Sequence, residues 1–405
     1  MSTHRLLPQL LRAGFGAGLL ATTAHAYDVA GISIHGSASL QAAASDNYDF
    51  YGATEEKVDL NVAELILNAT YRFENGIRIG AQGYAYRYTR EDGIVLDWAN
   101  LDYSFAPEFG LRAGRVKRPL GLYGDAQDLD QVRTFANLPL AFYPRYLRTI
   151  TSYTDGLNPY GSVGLGSAGG LDYSFHVGTA NTVKDDSLLL QNYSILGNET
   201  YDNWNIDTVA GVHLSWNTPV DGLRTVYSFT RVFDSTVTGV GNFGPGGFLP
   251  VINDNMQIDF TTASVEYTKD KWLFAGEIQW LSLDFDIASP AFGPATLHQN
   301  VDLLFYYLMA TYQATDRLGL GFYASFSDSS PNNDLPELGD ADRNNTSQDY
   351  ALAASYSLTD WWLLKLEYHH IIGLDIVNQG ADQNFTGPGA ESAYNYVVVK
   401  TTVSF

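Results

Sequence analysis

Along most of its 405 residues this chain alternates apolar and polar side chains with a period of two. The alternation falls into about sixteen segments, joined in turn by very short and long polar links. Such segments form strands, and a sheet can cross a lipid bilayer only when it closes on itself, because lipid offers no partner for the N–H and C=O groups of an edge. Sixteen strands in a closed sheet also enclose water.

Parity assigns the faces. In the second segment Leu65, Leu67, Ala69, Tyr71 and Phe73 share one side, and Glu64, Asn68, Thr70 and Arg72 share the other. The same rule sends Trp362, Leu364, Leu366 and Tyr368 outward and Lys365, Glu367 and His369 inward. In the final segment Val397, Val399, Thr401, Val403 and Phe405 point outward and Lys400 inward. A soluble sandwich would turn its apolar face to the core. The expectation is an all-β transmembrane antiparallel barrel of about sixteen strands with a wet lumen. Glu64, Arg72, Arg78, Lys365, Glu367 and Lys400 face that lumen.

Eight outward links, mostly long, alternate with seven short turns. An even strand number puts both ends of the sheet on one side, and short turns face the periplasm in bacterial barrels. Phe73, Phe105, Trp216, Tyr267, Trp272, Tyr312, Tyr356, Trp362 and Phe405 lie beside the short turns, as an aromatic girdle at one bilayer interface requires. Residues 239–250 and 287–300 are expected as loops. The longest irregular stretch is 117–155.

The first 26 residues carry Arg5, Arg12, an apolar run and Ala24-His25-Ala26, the pattern of a removable signal peptide. One barrel domain over 27–405 follows. Cysteine is absent and the net charge is -22. Disulfides therefore contribute nothing to stability, and nucleic acid is excluded as a partner.

The chain resembles the sixteen-stranded porins of Gram-negative outer membranes over 27–405, and residues 115–144 are similar to a proteobacterial porin-like group. In such porins the third outer loop folds into the barrel; the corresponding stretch begins Arg118-Pro119-Leu120-Gly121-Leu122-Tyr123. The closing strand ending in Phe405 is similar to the C-terminal signal that the barrel-assembly machinery reads on insertion. The resemblance implies an outer-membrane location among lipid and lipopolysaccharide, a homotrimer, and passive diffusion of small hydrophilic solutes and ions. In one departure the second outer link is very short, where trimeric porins commonly latch a neighbour.

A pore selects by the charges at its narrowest section. The loop offers Asp125, Asp128 and Asp130, and the adjoining strand offers Arg115 and Lys117, with the parity of Arg115 undecided. Dominant acids would favour cations. A phosphate channel would need a ladder of inward arginines and lysines, and a sugar channel a slide of rings, for which Tyr84, Tyr86, Phe305, Tyr307 and Tyr323 are candidates. An adhesin or lipase barrel is the remaining alternative. No Ser/His/acid spacing suggests catalysis, and no cofactor is expected. Asp340-Ala341-Asp342-Arg343-Asn344 opens like a calcium loop but continues with Asn345 and Ala351 where Gly and Glu are needed. His369 and His370 point to opposite faces and cannot share a metal ion.

Overall fold

The computed structural model describes residues 27–48, 57–88, 92–144, 148–180, 183–184, 199–328, 346–374 and 392–405. The expected signal peptide and the loop at 340–344 lie outside them. Among the described residues sixteen strands close an antiparallel barrel. They are β1 (Ile32–Ser45), β2 (Asp59–Arg72), β3 (Arg78–Tyr88), β4 (Asp92–Ala106), β5 (Phe109–Lys117), β6 (Tyr153–Gly164), β7 (Gly170–Thr179) and β8 (Thr208–Asn217). There follow β9 (Leu223–Asn242), β10 (Phe248–Lys269), β11 (Trp272–Ala288), β12 (Thr296–Gln313), β13 (Leu318–Asp328), β14 (Thr346–Thr359), β15 (Trp362–Gly373) and β16 (Ala393–Ser404).

Each strand pairs with its chain neighbour, and β16 pairs with β1 from Tyr396↔Ser45 to Ser404↔Ser37, which closes the sheet. At this seam the Gly36 and Phe405 backbones exchange hydrogen bonds of 3.0 and 2.9 Å. The Phe405 ring covers Gly36, where a Cβ would sit 2.6 Å from it, so only glycine fits. Three short strands lie beside the barrel: Tyr27–Val29 against β1, and Glu199–Asn205 against β9 with Val183–Lys184 next to it.

Two aromatic belts bound the apolar band. At the short-turn end Trp272 stacks on Phe274 and tilts over Tyr312, with Phe73, Phe105, Trp216 and Tyr356 exposed nearby. At the other end Trp280 is exposed and Tyr306 stacks on Phe326, which meets Tyr350 edge-on. Trp272 and Trp280 are separated along β11 by roughly 26 Å of strand, which tilt reduces to about 20 Å, close to the height of an outer-membrane apolar band.

The wall is uneven. Strands β9 and β10 run 20 and 22 residues, whereas β5 and β8 run 9 and 10. Residues expected as loops at 239–250 and 287–300 instead continue β9 to β12 past the outer belt, with tight turns at Gly244–Gly246 and Pro290–Phe292. The physical reason is that the two faces no longer sort by polarity, with Val240, Phe248 and Ile252 exposed among polar residues. Beyond the bilayer Val237, Val251 and Ile287 are buried inward, while Thr236, Asp254 and Asp286 project outward. An apolar-outward rule cannot recognise these extensions as strand. Similarly β6 begins at Tyr153 rather than near Tyr160.

Candidate functional site

Residues 118–152 leave β5 and turn into the barrel instead of away from it. Their composition explains the choice: Leu120, Leu122, Phe135, Leu138, Leu140 and Phe142 are all buried, which a loop in water could not achieve. Arg118 ties the two ends of the loop together. Its guanidinium donates to the carbonyls of Ile150 and Tyr153 at 2.6 and 2.5 Å and to the Thr154 hydroxyl. Burial lowers its pKa to about 10.

Three carboxylates hold the loop against β9 to β16. Glu277 on β11 accepts from the Leu122 N–H at 2.8 Å, from Ser264 at 2.6 Å, from Tyr307 at 2.5 Å and from Tyr143. Gly121, at φ 61°, passes so close that any Cβ would strike this carboxylate. Burial together with Glu277 pushes the Tyr143 hydroxyl well above its ordinary pKa. Glu367 on β15 accepts from the N–H groups of Ala136 and Asn137 and from the Asn137 side chain, and its other neighbour is His369 at 3.3 Å.

The third carboxylate belongs to the loop itself. Asp130 lies 2.8 Å from Lys400, 3.7 Å from Lys365 and 2.8 Å from Arg133, and accepts from Thr402 at 2.7 Å. Lys365 also donates to the carbonyls of Asp130 and Phe135. Burial would raise the Asp130 pKa, but Lys400, Lys365 and Arg133 outweigh it and hold the carboxyl far below the usual range. Phe135 and Phe142 pack on Tyr323 and Tyr307.

On the opposite side the loop touches β3 to β5 through charges. Asp128 accepts from Lys117 at 2.7 Å and from Gln82 at 2.6 Å. Burial opposes ionisation of Asp128, yet Lys117 and Arg148 keep its pKa below the ordinary value. Asp97 is held between Arg148 at 2.8 Å and Lys117 at 3.2 Å, and Arg148 also lies 4.4 Å over the Tyr84 ring.

A cavity of about 670 Å³ lies between the loop and strands β1 to β9, lined by Asn68, Arg78, Arg112, Lys117, Asp125, Tyr160, Asp172 and Arg224 among others. A smaller space of about 40 Å³, lined by Glu64, Tyr88, Arg133 and Arg148, flanks the loop without sharing a residue with the first.

The residues singled out in the sequence divide accordingly. Asp125 is exposed to the large cavity, whereas Asp128 and Asp130 are buried in ion pairs. Lys117 lines the cavity. Arg115 does not: it is paired with Asp155 at 2.7 and 2.6 Å on the outward face that carries Leu157, so it stands outside the constriction. Arg78 borders the cavity and Arg72 sits at the turn end of β2, while Glu64, Lys365, Glu367 and Lys400 are engaged with one another, with the loop or with neighbouring wall residues. Phe305, Tyr307 and Tyr323 are buried and form no open slide. Glu277, Asp97, Asp102, Arg112, Arg148 and Arg224 were not anticipated. The strand parity that marked Glu64 would have marked Glu277 as well, whereas Arg112 shares the short strand on which the parity of Arg115 is undecided.

The class this defines is the sixteen-stranded porin-type barrel, narrowed by the third of the links on the side opposite its short turns. The backbone is similar to that of the anion-selective porin from Comamonas acidovorans, with TM-score 0.56 and 12% identity over 92% of this chain and 99% of that one. Salmonella typhi OmpF in complex with daunomycin gives 0.56 at 13% identity, covering 92% and 97%. The trimer form of in-vitro folded OmpT from Vibrio cholerae gives 0.54 at 11%, covering 92% and 99%. At these identities the likeness is one of fold. No protein-family model matches the sequence. An uncharacterised protein of Aquifex aeolicus strain VF5 is 27% identical over 111 residues, and the chain spans 25% of that relative's length.

Proposed function

We propose that this barrel is an outer-membrane porin, a water-filled channel through which small hydrophilic solutes and ions diffuse passively. The observation that carries this reading is the 670 Å³ polar cavity left between the inward loop and the β1 to β9 wall. A loop clamped to β11, β15 and β16, and reaching β3 to β5 through ion pairs, narrows the barrel without filling it. The short-turn end faces the periplasm in this reading. A homotrimer is supported by the trimer form among the fold's relatives.

Charge at the cavity supports a weak anion preference rather than the cation preference expected from the loop acids. Two of those three acids are spent on lysines and arginines. The Arg78, Arg112 and Arg224 side chains remain 39, 34 and 37% exposed, while the acids they pair with, Asp102 and Glu266, are only 10 and 16% exposed. Solutes therefore meet the Arg78, Arg112 and Arg224 guanidinium ends and Lys117, against the exposed carboxylates of Asp125 and Asp172 that line the same cavity. Planar bilayers under a potassium chloride gradient test both parts. The expected result is stable ohmic conductance with a reversal potential shifted toward chloride. An absence of conductance would remove the channel reading, and a shift toward potassium would remove the selectivity.

A further inference from the structure

At the short-turn mouth one rung of the sheet carries three arginines and a single acid on its lumen face. The pairing runs Arg72↔Arg78, Arg78↔Asp102, Asp102↔Arg112 and Arg112↔Asn158 across five adjacent strands. Arg72 shares its face of β2 with Asn68 and Thr70, both of which line the large cavity.

The one carboxylate on this rung is already committed. Asp102 accepts from Arg78 at 2.8 Å, from the Tyr160 hydroxyl at 2.6 Å and weakly from Arg112 at 3.5 Å. Arg112 is fixed further by Asn158 at 3.1 Å and by the Tyr160 ring, 4.0 Å from its guanidinium carbon. Arg72 is exposed and makes no hydrogen bond or ion pair among the described residues, although it stands directly opposite Arg78. Each guanidinium has five N–H donors, and Arg78 spends one. Like charges placed opposite one another on a sheet repel. A small anion between Arg72 and Arg78 would remove that repulsion and fill donors that the protein leaves unused.

We propose that this rung is a binding station for a small oxyanion group, carboxylate or phosphate, bridging Arg72 and Arg78 with Arg112 held alongside. The station deepens the channel reading by giving the class of solute that pauses at the short-turn mouth, and it rests on that reading for how the solute arrives. Its position at the turn ends of β2 and β3 separates it from the ion pairs of the inward loop.

The test is calorimetric titration of the refolded full-length barrel in detergent with inorganic phosphate, and separately with acetate. Saturable binding is expected for at least one of the two, and which one binds more tightly identifies the preferred oxyanion. Arg72→Gln should weaken it about tenfold, the scale of one charge-assisted hydrogen bond. Arg72→Lys should retain most of the binding, and Arg115→Gln on the outward face should leave it unchanged. Because Arg72 is exposed and unpartnered, its replacement leaves the fold intact. Equal affinity in the native chain and Arg72→Gln, or no saturable binding of either anion, would overturn the station. Conductance without binding leaves the channel standing and removes the station; binding without conductance does the reverse.

Discussion

The two halves of the lumen wall use the same residue types to opposite ends. Under the loop, on β9 to β16, Glu277, Lys365, Glu367 and Lys400 are at most 3% exposed, and their bonds run to the loop, to neighbouring side chains of the wall and to Glu64 on β2. Across the cavity, on β2 to β9, Arg78, Arg112 and Arg224 keep a third or more of their side chains exposed. A charged residue facing the lumen is therefore a fastener where a backbone covers it and a solute contact where water does. The covering segment decides which, and the strand cannot.

The strongest way to break this contrast is to unfasten the loop. Asp130→Ala would leave Lys365 and Lys400 buried beside an empty place, and removing one partner of a buried ion cluster costs about 3–5 kcal/mol. The loop should release from β15 and β16. Protease should then cut within residues 118–152 of the folded barrel, and single-channel conductance should rise with greater open-state noise. If conductance and cleavage match the native chain, Asp130 is not a fastener.

A smaller effect is expected at Glu277. Glu277→Gln keeps an acceptor for the Leu122 N–H but loses the charge that strengthens the bonds from Tyr143, Tyr307 and Ser264. A loss of about 1.5–3 kcal/mol follows from hydrogen bonds to a charged group. It ties Leu122 and Tyr143 to the wall while Asp130 and Glu367 still hold the middle of the loop, so the thermal midpoint should fall while conductance changes little. A conductance rise as large as that of Asp130→Ala would show that the clamps are not independent.

Much of the barrel was legible because its wall obeys a single rule. Period-two alternation located all sixteen strands, and the parity of Glu64 and Lys365 placed both on the inner face. The rule failed where its premise did. Above the bilayer water replaces lipid, so the faces of β9 to β12 no longer sort by polarity: Val251 and Ile287 are buried while Val240, Phe248 and Ile252 are exposed, and residues 239–250 and 287–300 read as loop. At Arg115, near the end of a nine-residue strand, too few neighbours define the parity, and its Asp155 partner lies 40 residues away. Which inward charges the loop would cover depends on a path fixed by contacts such as Phe135 on Tyr323, far apart in sequence.

Acid should leave the ion pairs of the loop undisturbed over the ordinary range, on both sides of the lumen, the smallest effect of the three. A free aspartate titrates near about 3.9, and the folded pKa values of Asp128 and Asp130 are depressed, the latter far below the usual range. A depressed carboxylate contributes its full stabilisation above the unfolded value and loses it only as pH falls through the folded one. Between pH 7 and pH 5 both ion pairs should therefore persist, with Lys117 on Asp128 and with Lys365, Lys400 and Arg133 on Asp130. Rates of protease cleavage within residues 118–152 measured at pH 7 and pH 5, each against an Asp130→Asn variant at the same pH, check this. A native loop that becomes as cleavable as the variant by pH 5 would mean that the lysines do not hold Asp130 ionised, and the distinction between fastened and open charge would fail at its firmest point.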